Sequence, residues 1–119
     1  MFAQLMGLKT ISPGDLKQLL QKQGVTVVDV NSPQSWAEAH VPGAVNLDPA
    51  NYVASDLPED KNASLVFYCS NPFCRKAPNA AKRAKQMGYS NVKVMAAGMS
   101  GWLSAKLPTE SRAGSAARP

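Results

Sequence analysis

The chain has 119 residues, 45% of them apolar and 18% charged, which is the size of one ordinary domain and enough to bury a core without disulfide or metal support. No run reaches the roughly 18–20 apolar residues needed to cross a bilayer, and the opening Met1-Phe2-Ala3-Gln4-Leu5-Met6 lacks a basic n-region and a long h-region, so the expectation is a cytoplasmic protein with no membrane partner. The net charge of +5 is unevenly placed: residues 1–60 balance to −4, residues 61–109 carry eight cations and no acid, and the last ten residues add +1. Two cysteines and one histidine fall short of the usual four-ligand zinc site, so no metal and no cofactor is expected. Charge alone is a poor argument for nucleic acid when so few aromatics are present to stack on bases, and no nucleic-acid partner is expected.

In chain order, Ser12-Pro13-Gly14-Asp15 carries helix-start signals, a capping Ser and a Pro suited to the first turn, and predicts a helix to about Gln23 with Leu16, Leu19 and Leu20 inward. Val25-Thr26-Val27-Val28-Asp29-Val30 is β-branched with little alternation, as in a strand covered on both faces. Ser32-Pro33 starts a short helix to Ala39, and a brief strand follows at 45–47. Residues 48–63 read mainly as loop. Ser64-Leu65-Val66-Phe67-Tyr68 is the second strong strand. Ala77, Ala80, Ala81, Ala84 and Met87 recur at helical spacing over residues 76–87, with Pro78 tolerable in the first turn. A strand at 92–95 and a last short helix carrying Trp102, Leu103 and Leu107 complete the pattern. This organisation predicts an N-terminal segment (1–9), one α/β domain (10–108) with a mainly parallel sheet of about five strands between helices in three layers, and a disordered tail (109–119).

The chemistry concentrates in Cys69-Ser70-Asn71-Pro72-Phe73-Cys74-Arg75, between a buried strand and a helix start. Ligands of open α/β sheets bind beyond the carboxyl ends of the strands, and a loop entering a helix offers backbone N–H groups to an anion. A cysteine there gains thiolate character from the helix dipole and nearby cations. Cys69 is therefore the candidate nucleophile, with Ser70, Asn71, Phe73, Cys74 and Arg75 as the candidate anion cradle. Cys74 stands either as a resolving thiol that closes a disulfide on Cys69 or as a passive small side chain. His40, Asp29, Trp36 and Trp102 read as structural residues.

Several separated motifs resemble the rhodanese-like sulfurtransferases: Val27-Val28-Asp29-Val30 with Trp36 to Leu47, including His40-Val41-Pro42-Gly43-Ala44; Val66-Phe67-Tyr68-Cys69; Met87 to Val92; and Ala97-Gly98-Met99-Ser100-Gly101-Trp102. The resemblance implies the rhodanese-like fold and a persulfide on Cys69, taken from a small anionic sulfur donor such as thiosulfate and passed to a thiol or protein acceptor. Two features depart from the usual family pattern. Arg75 lies six positions after Cys69 where most members have five, and Pro72 stands where a Gly is usual. A Cys-x5-Arg loop resembles instead the rhodanese-fold phosphatases and arsenate reductases, which keeps oxyanion chemistry open as an alternative. A non-catalytic or relay partner module is the third reading.

Overall fold

In a computed structural model of the chain, which describes residues 2–112, the elements alternate as α1 (Phe2–Leu5), β1 (Lys9–Thr10), α2 (Pro13–Lys22), β2 (Val25–Asp29), α3 (Pro33–Glu38), β3 (Val45–Asn46), a 3₁₀ turn (Ala54–Asp56), β4 (Ser64–Tyr68), α4 (Lys76–Gln86), β5 (Val92–Val94) and α5 (Gly98–Ser104). The strands form one five-stranded sheet in the order β1-β5-β4-β2-β3. Every pairing is parallel. The two β-branched or aromatic runs identified in the sequence, β2 and β4, lie side by side at the centre, with Asp29 opposite Tyr68.

Because side chains alternate across a strand, each central strand feeds two cores. Leu65, Phe67 and Cys69 at β4, Val28 and Val30 at β2, and Val92 and Val94 of β5 face a layer made by Ala77, Ala80, Ala81 and Ala84 of α4, closed by Tyr52, Leu57 and Tyr89. Val66, Tyr68 and Val27 face the opposite layer, built from Leu16 of α2, Val41, Ala44, Met99 and Trp102. This is the expected three-layer α/β architecture. The period-2 alternation decides where the chemistry goes: Cys69 follows Leu65 and Phe67 in phase and so belongs to the α4 side.

The α2 start is as expected, with the Ser12 side chain accepting from the Asp15 N–H at 3.1 Å and Pro13 in the first turn. Its buried face is narrower than the leucine spacing predicts: Leu16 is fully buried, whereas Leu19 and Leu20 are half-buried. In α4 the alanine stripe is buried as expected, Pro78 lies in the first turn and is buried with it, and small side chains let the helix lie close against the sheet. The 48–63 segment is anchored to that helix. The Tyr52 hydroxyl donates to the Ala80 carbonyl at 2.6 Å, and Arg83 donates through Nε and a terminal nitrogen to the Tyr52 carbonyl at 3.1 and 2.9 Å. Burial pushes the Tyr52 phenol up to about 12, so it stays a donor across the physiological range.

Within the N-terminal segment lie α1 and β1, and Ala3 and Leu8 are buried in the α4-side core. Two expectations are corrected. Leu107 lies beyond α5 and Leu103 on it is 52% exposed, so Trp102 is the one of the three that anchors the helix in the core. The expected tail is ordered at its start. His40 and Glu110 exchange backbone hydrogen bonds at 2.8 and 2.9 Å, and the Glu110 carboxylate accepts from the Gly43 N–H at 2.8 Å. The backbone of buried His40 needs such a partner, and the chain supplies it from the segment after Leu107. Residues 113–119 of that expectation lie outside the described residues.

Candidate active site

Cys69 directly follows β4 and is 3% exposed, and the first turn of α4 begins at Lys76. Seven residues span the gap between strand and helix, and Asn71 organises them. Its side-chain oxygen accepts from the Phe73 N–H at 2.9 Å, and its carbonyl accepts from the Cys74 N–H at 3.1 Å. An Asn-Pro pair favours this turn, because Asn side chains bond to the backbone two residues on and Pro fixes its own φ. The turn carries Cys74 back toward the strand end. The two cysteines form a disulfide, with a Cα–Cα separation of 6.4 Å.

The other side of the loop rests on α5. Met99 N–H donates to the Cys69 carbonyl at 2.8 Å and Ser100 N–H to the Ser70 carbonyl at 2.9 Å, so the first turn of α5 grips the first two residues of the loop. Gly98 makes that grip possible. A Cβ there would stand 2.6 Å from the Asn71 nitrogen and 2.7 Å from the Ser70 carbonyl carbon, and its φ of +68° is itself a glycine conformation. Sequence reasoning placed Gly98 only within a closing motif. The signal available was a Gly at a helix start, which also fits a plain turn.

Of the predicted cradle residues, Asn71 and Cys74 line the cavity beside Cys69, whereas Ser70, Phe73 and Arg75 do not, so the disulfide form does not present them as an open ring. The cavity beside Cys69 measures about 10 Å³, and its walls include Asn71, Pro72, Cys74, Ala77 and Pro78. That is the space of about one water-sized sphere and excludes a tetrahedral oxyanion. The N–H groups of Phe73 and Cys74 bond to Asn71, and the Phe73 side chain is 70% exposed, pointing away from the sulfur. Ser70 is exposed, and Arg75 is exposed at the cap of α4. Two larger clefts flank the loop: one of about 330 Å³ between Asn31, Asp48 and Lys76, and one of about 320 Å³ between Glu38, Ser70 and Met99.

The cations of the acid-free stretch are spread over the domain rather than gathered at the loop. Arg83 donates to the Tyr52 carbonyl, Lys61 sits 4.3 Å over the Tyr89 ring, and Lys93 donates to Asn91 at 3.0 Å. Lys82 and Lys85 lie about 9 and 13 Å along α4 from Lys76 at the helical rise. Arg75 and Lys76 adjoin the loop in sequence, at the start of α4.

The neighbouring strand end is closed and polar. Fully buried Asp29 accepts from the Tyr68 hydroxyl at 2.6 Å and from the Asn31 N–H at 2.8 Å, and the Tyr68 oxygen in turn accepts from the Val41 N–H at 3.0 Å. Burial raises the Asp29 pKa, opposed by the Tyr68 and Asn31 hydrogen bonds. Burial, then the Asp29 charge and hydrogen bond, push Tyr68 strongly upward. His40 is structural as expected: its Nδ1 lies 2.6 Å from the Trp36 carbonyl, its ring stacks on Trp36 at 4.4 Å, and it is 5% exposed. A carbonyl only accepts, so Nδ1 carries the proton.

A family model described as the rhodanese-like domain matches residues 12–105, which covers α2 through α5 with the loop at its centre. The chain belongs to the rhodanese-like family. Within it, an uncharacterized protein of Synechocystis is 30% identical over 84% of this chain and 55% of its own length, so the chain spans about half of that relative. The thiosulfate sulfurtransferase GlpE of Haemophilus influenzae is 28% identical over 88% of this chain and 97% of itself. Among solved structures, the BH2092 protein of Bacillus halodurans superposes with a TM-score of 0.80 at 26% identity, covering 92% of this chain and 81% of the other. The superposition with BH2092 supports the five-stranded parallel α/β fold found here. Among the described residues, no helix is long and apolar enough to cross a membrane.

Proposed function

We propose that this rhodanese-like chain is a sulfurtransferase in which Cys69 takes the outer sulfur of a small anionic donor such as thiosulfate. The observation that carries the reading is the placement of Cys69, at the carboxyl end of a central parallel strand and facing the amino end of an eleven-residue helix. That setting favours a thiolate and an anionic partner. The likeness to proteins named thiosulfate sulfurtransferase, over nearly their whole length in the Haemophilus case, supports the choice of donor.

In the dithiol form, Cys69 thiolate attacks the outer sulfur, the sulfur–sulfur bond of the donor breaks, and sulfite leaves with the electron pair. Arg75 and Lys76 neutralise the sulfonate as it approaches, and the loop amides turn inward once the disulfide no longer holds Cys74. Reduced protein mixed with thiosulfate is expected to release sulfite, and Cys69→Ser to lower that release by at least about 10³-fold, since the nucleophile itself is gone. Sulfite release unaltered in Cys69→Ser overturns the reading. The Cys-x5-Arg spacing favours one second reading, action on phosphate or arsenate. Turnover of an aryl phosphate or of arsenate, with no sulfite formed from thiosulfate, would install it in place of the first.

A further inference from the structure

We infer that the chain carries its own sulfur acceptor: Cys74 resolves the persulfide on Cys69, releases hydrogen sulfide and leaves the Cys69–Cys74 disulfide. The inference rests on the sulfurtransferase reading and adds the fate of the sulfur. Three observations carry it. The disulfide itself places Cys74 within bonding reach of Cys69, at a Cα separation inside the range disulfides occupy. The loop is built to deliver that approach, because both N–H groups that precede and include Cys74 fold back onto Asn71. Access favours the internal thiol over an external one: Cys69 is 3% exposed within the α4-side core, and half-buried Cys74 packs against that same cluster.

The chemistry balances within the chain. Cys74 thiolate attacks Cys69 Sγ, a bond forms between the two Sγ atoms, and the bond from Cys69 Sγ to the sulfane sulfur breaks. Hydrosulfide leaves with the electron pair. Both cysteines are oxidised, the sulfane sulfur is reduced by two electrons, and the two thiol protons end on the sulfide. One dithiol chain and one thiosulfate thus give one disulfide chain, one sulfite and one hydrogen sulfide. A second turnover requires an external dithiol, which exchanges with the disulfide at the more accessible Cys74. In the disulfide form the cavity of about 10 Å³ leaves no room for a new donor, so the chain waits for that reductant.

A single-turnover experiment tests this. Protein is fully reduced, freed of reductant under nitrogen and mixed with thiosulfate, and sulfite, sulfide, free thiols and intact mass are measured. The wild-type chain is expected to give close to one sulfite and one sulfide per chain and to lose both free thiols. In Cys74→Ser and Cys74→Ala, whatever sulfite is released is expected to be matched by an equal gain of sulfur mass on the chain, with no sulfide; two replacements guard against a fold defect in either. Wild-type protein that keeps the added sulfur and releases no sulfide overturns the inference while leaving the sulfurtransferase reading intact. Absence of sulfite from wild-type and both variants removes that reading, and the inference with it.

Discussion

The two central strands run side by side in register and end at the same edge of the sheet, yet their ends are built in opposite ways. The end of β2 is sealed: Asp29, Tyr68 and Val41 satisfy one another inside the protein, with Asn46 donating to the Asp29 and Asn31 carbonyls at 3.0 and 2.9 Å. The end of β4 is open to change. Its loop is exposed from Ser70 to Phe73, holds itself through one Asn, and carries the two sulfurs. One strand end is a closed polar frame and the other an exposed segment closed by a disulfide. The difference teaches where precision comes from, since a loop that must rearrange needs neighbours that do not.

If that division is right, damage at the contact between loop and frame should be the most severe. Gly98→Ala puts a Cβ into the backbone of Ser70 and Asn71 and forces a left-handed φ on alanine. Overpacking and backbone strain together are expected to cost about 2–4 kcal/mol in urea unfolding and to lower sulfite release by more than tenfold. A Gly98→Ala protein with wild-type stability and rate would show that α5 does not set the loop. Within the frame, Tyr68→Phe removes the hydroxyl that serves both Asp29 and the Val41 N–H. Leaving two buried polar groups short of a partner is expected to cost about 1–3 kcal/mol, while the rate of the remaining folded protein stays within a few-fold. A large rate loss with unchanged stability would instead give the frame a chemical role.

The smallest expected effect is a pH slope. Burial raises the Asp29 pKa above its ordinary 3.8, so the folded protein holds that proton to higher pH than the unfolded chain does. The group favours folding fully below about 3.8, and that contribution is lost as pH rises through the raised folded value. Asp29→Asn has no such proton. Compared by urea unfolding between about pH 3.5 and 7, the variant's stability relative to wild type is expected to rise with pH. Parallel curves would mean that Asp29 titrates alike in the folded and unfolded protein.

Much of this arrangement was legible in the sequence because it rests on local pattern. The alanine stripe of α4, the apolar runs of β2 and β4 and the Ser12 cap each carry their own signal, and together they deliver Cys69 to a strand end facing a helix. What the sequence hid depends on distant partners. Strand β1 is two residues long and exists because β5 offers it an edge. Glu110 reads as part of a polar tail until His40 and Gly43 are seen to bind it. The role of Gly98 arises only when the loop backbone lies across it. Whether Cys74 can reach Cys69 depends on a Cα separation, a quantity that spacing in sequence does not supply.

The pairing of Glu110 with His40 gives the protein an optical reporter. Trp36 stacks on His40, whose backbone is held by Glu110, and the Trp102 indole N–H donates to the Pro108 carbonyl at 2.7 Å. Both of the chain's tryptophans are thus wired to the same short segment, residues 108–110, one through a ring partner and one through a hydrogen bond. Their fluorescence registers whether that segment is seated, so its docking can be followed without adding a dye.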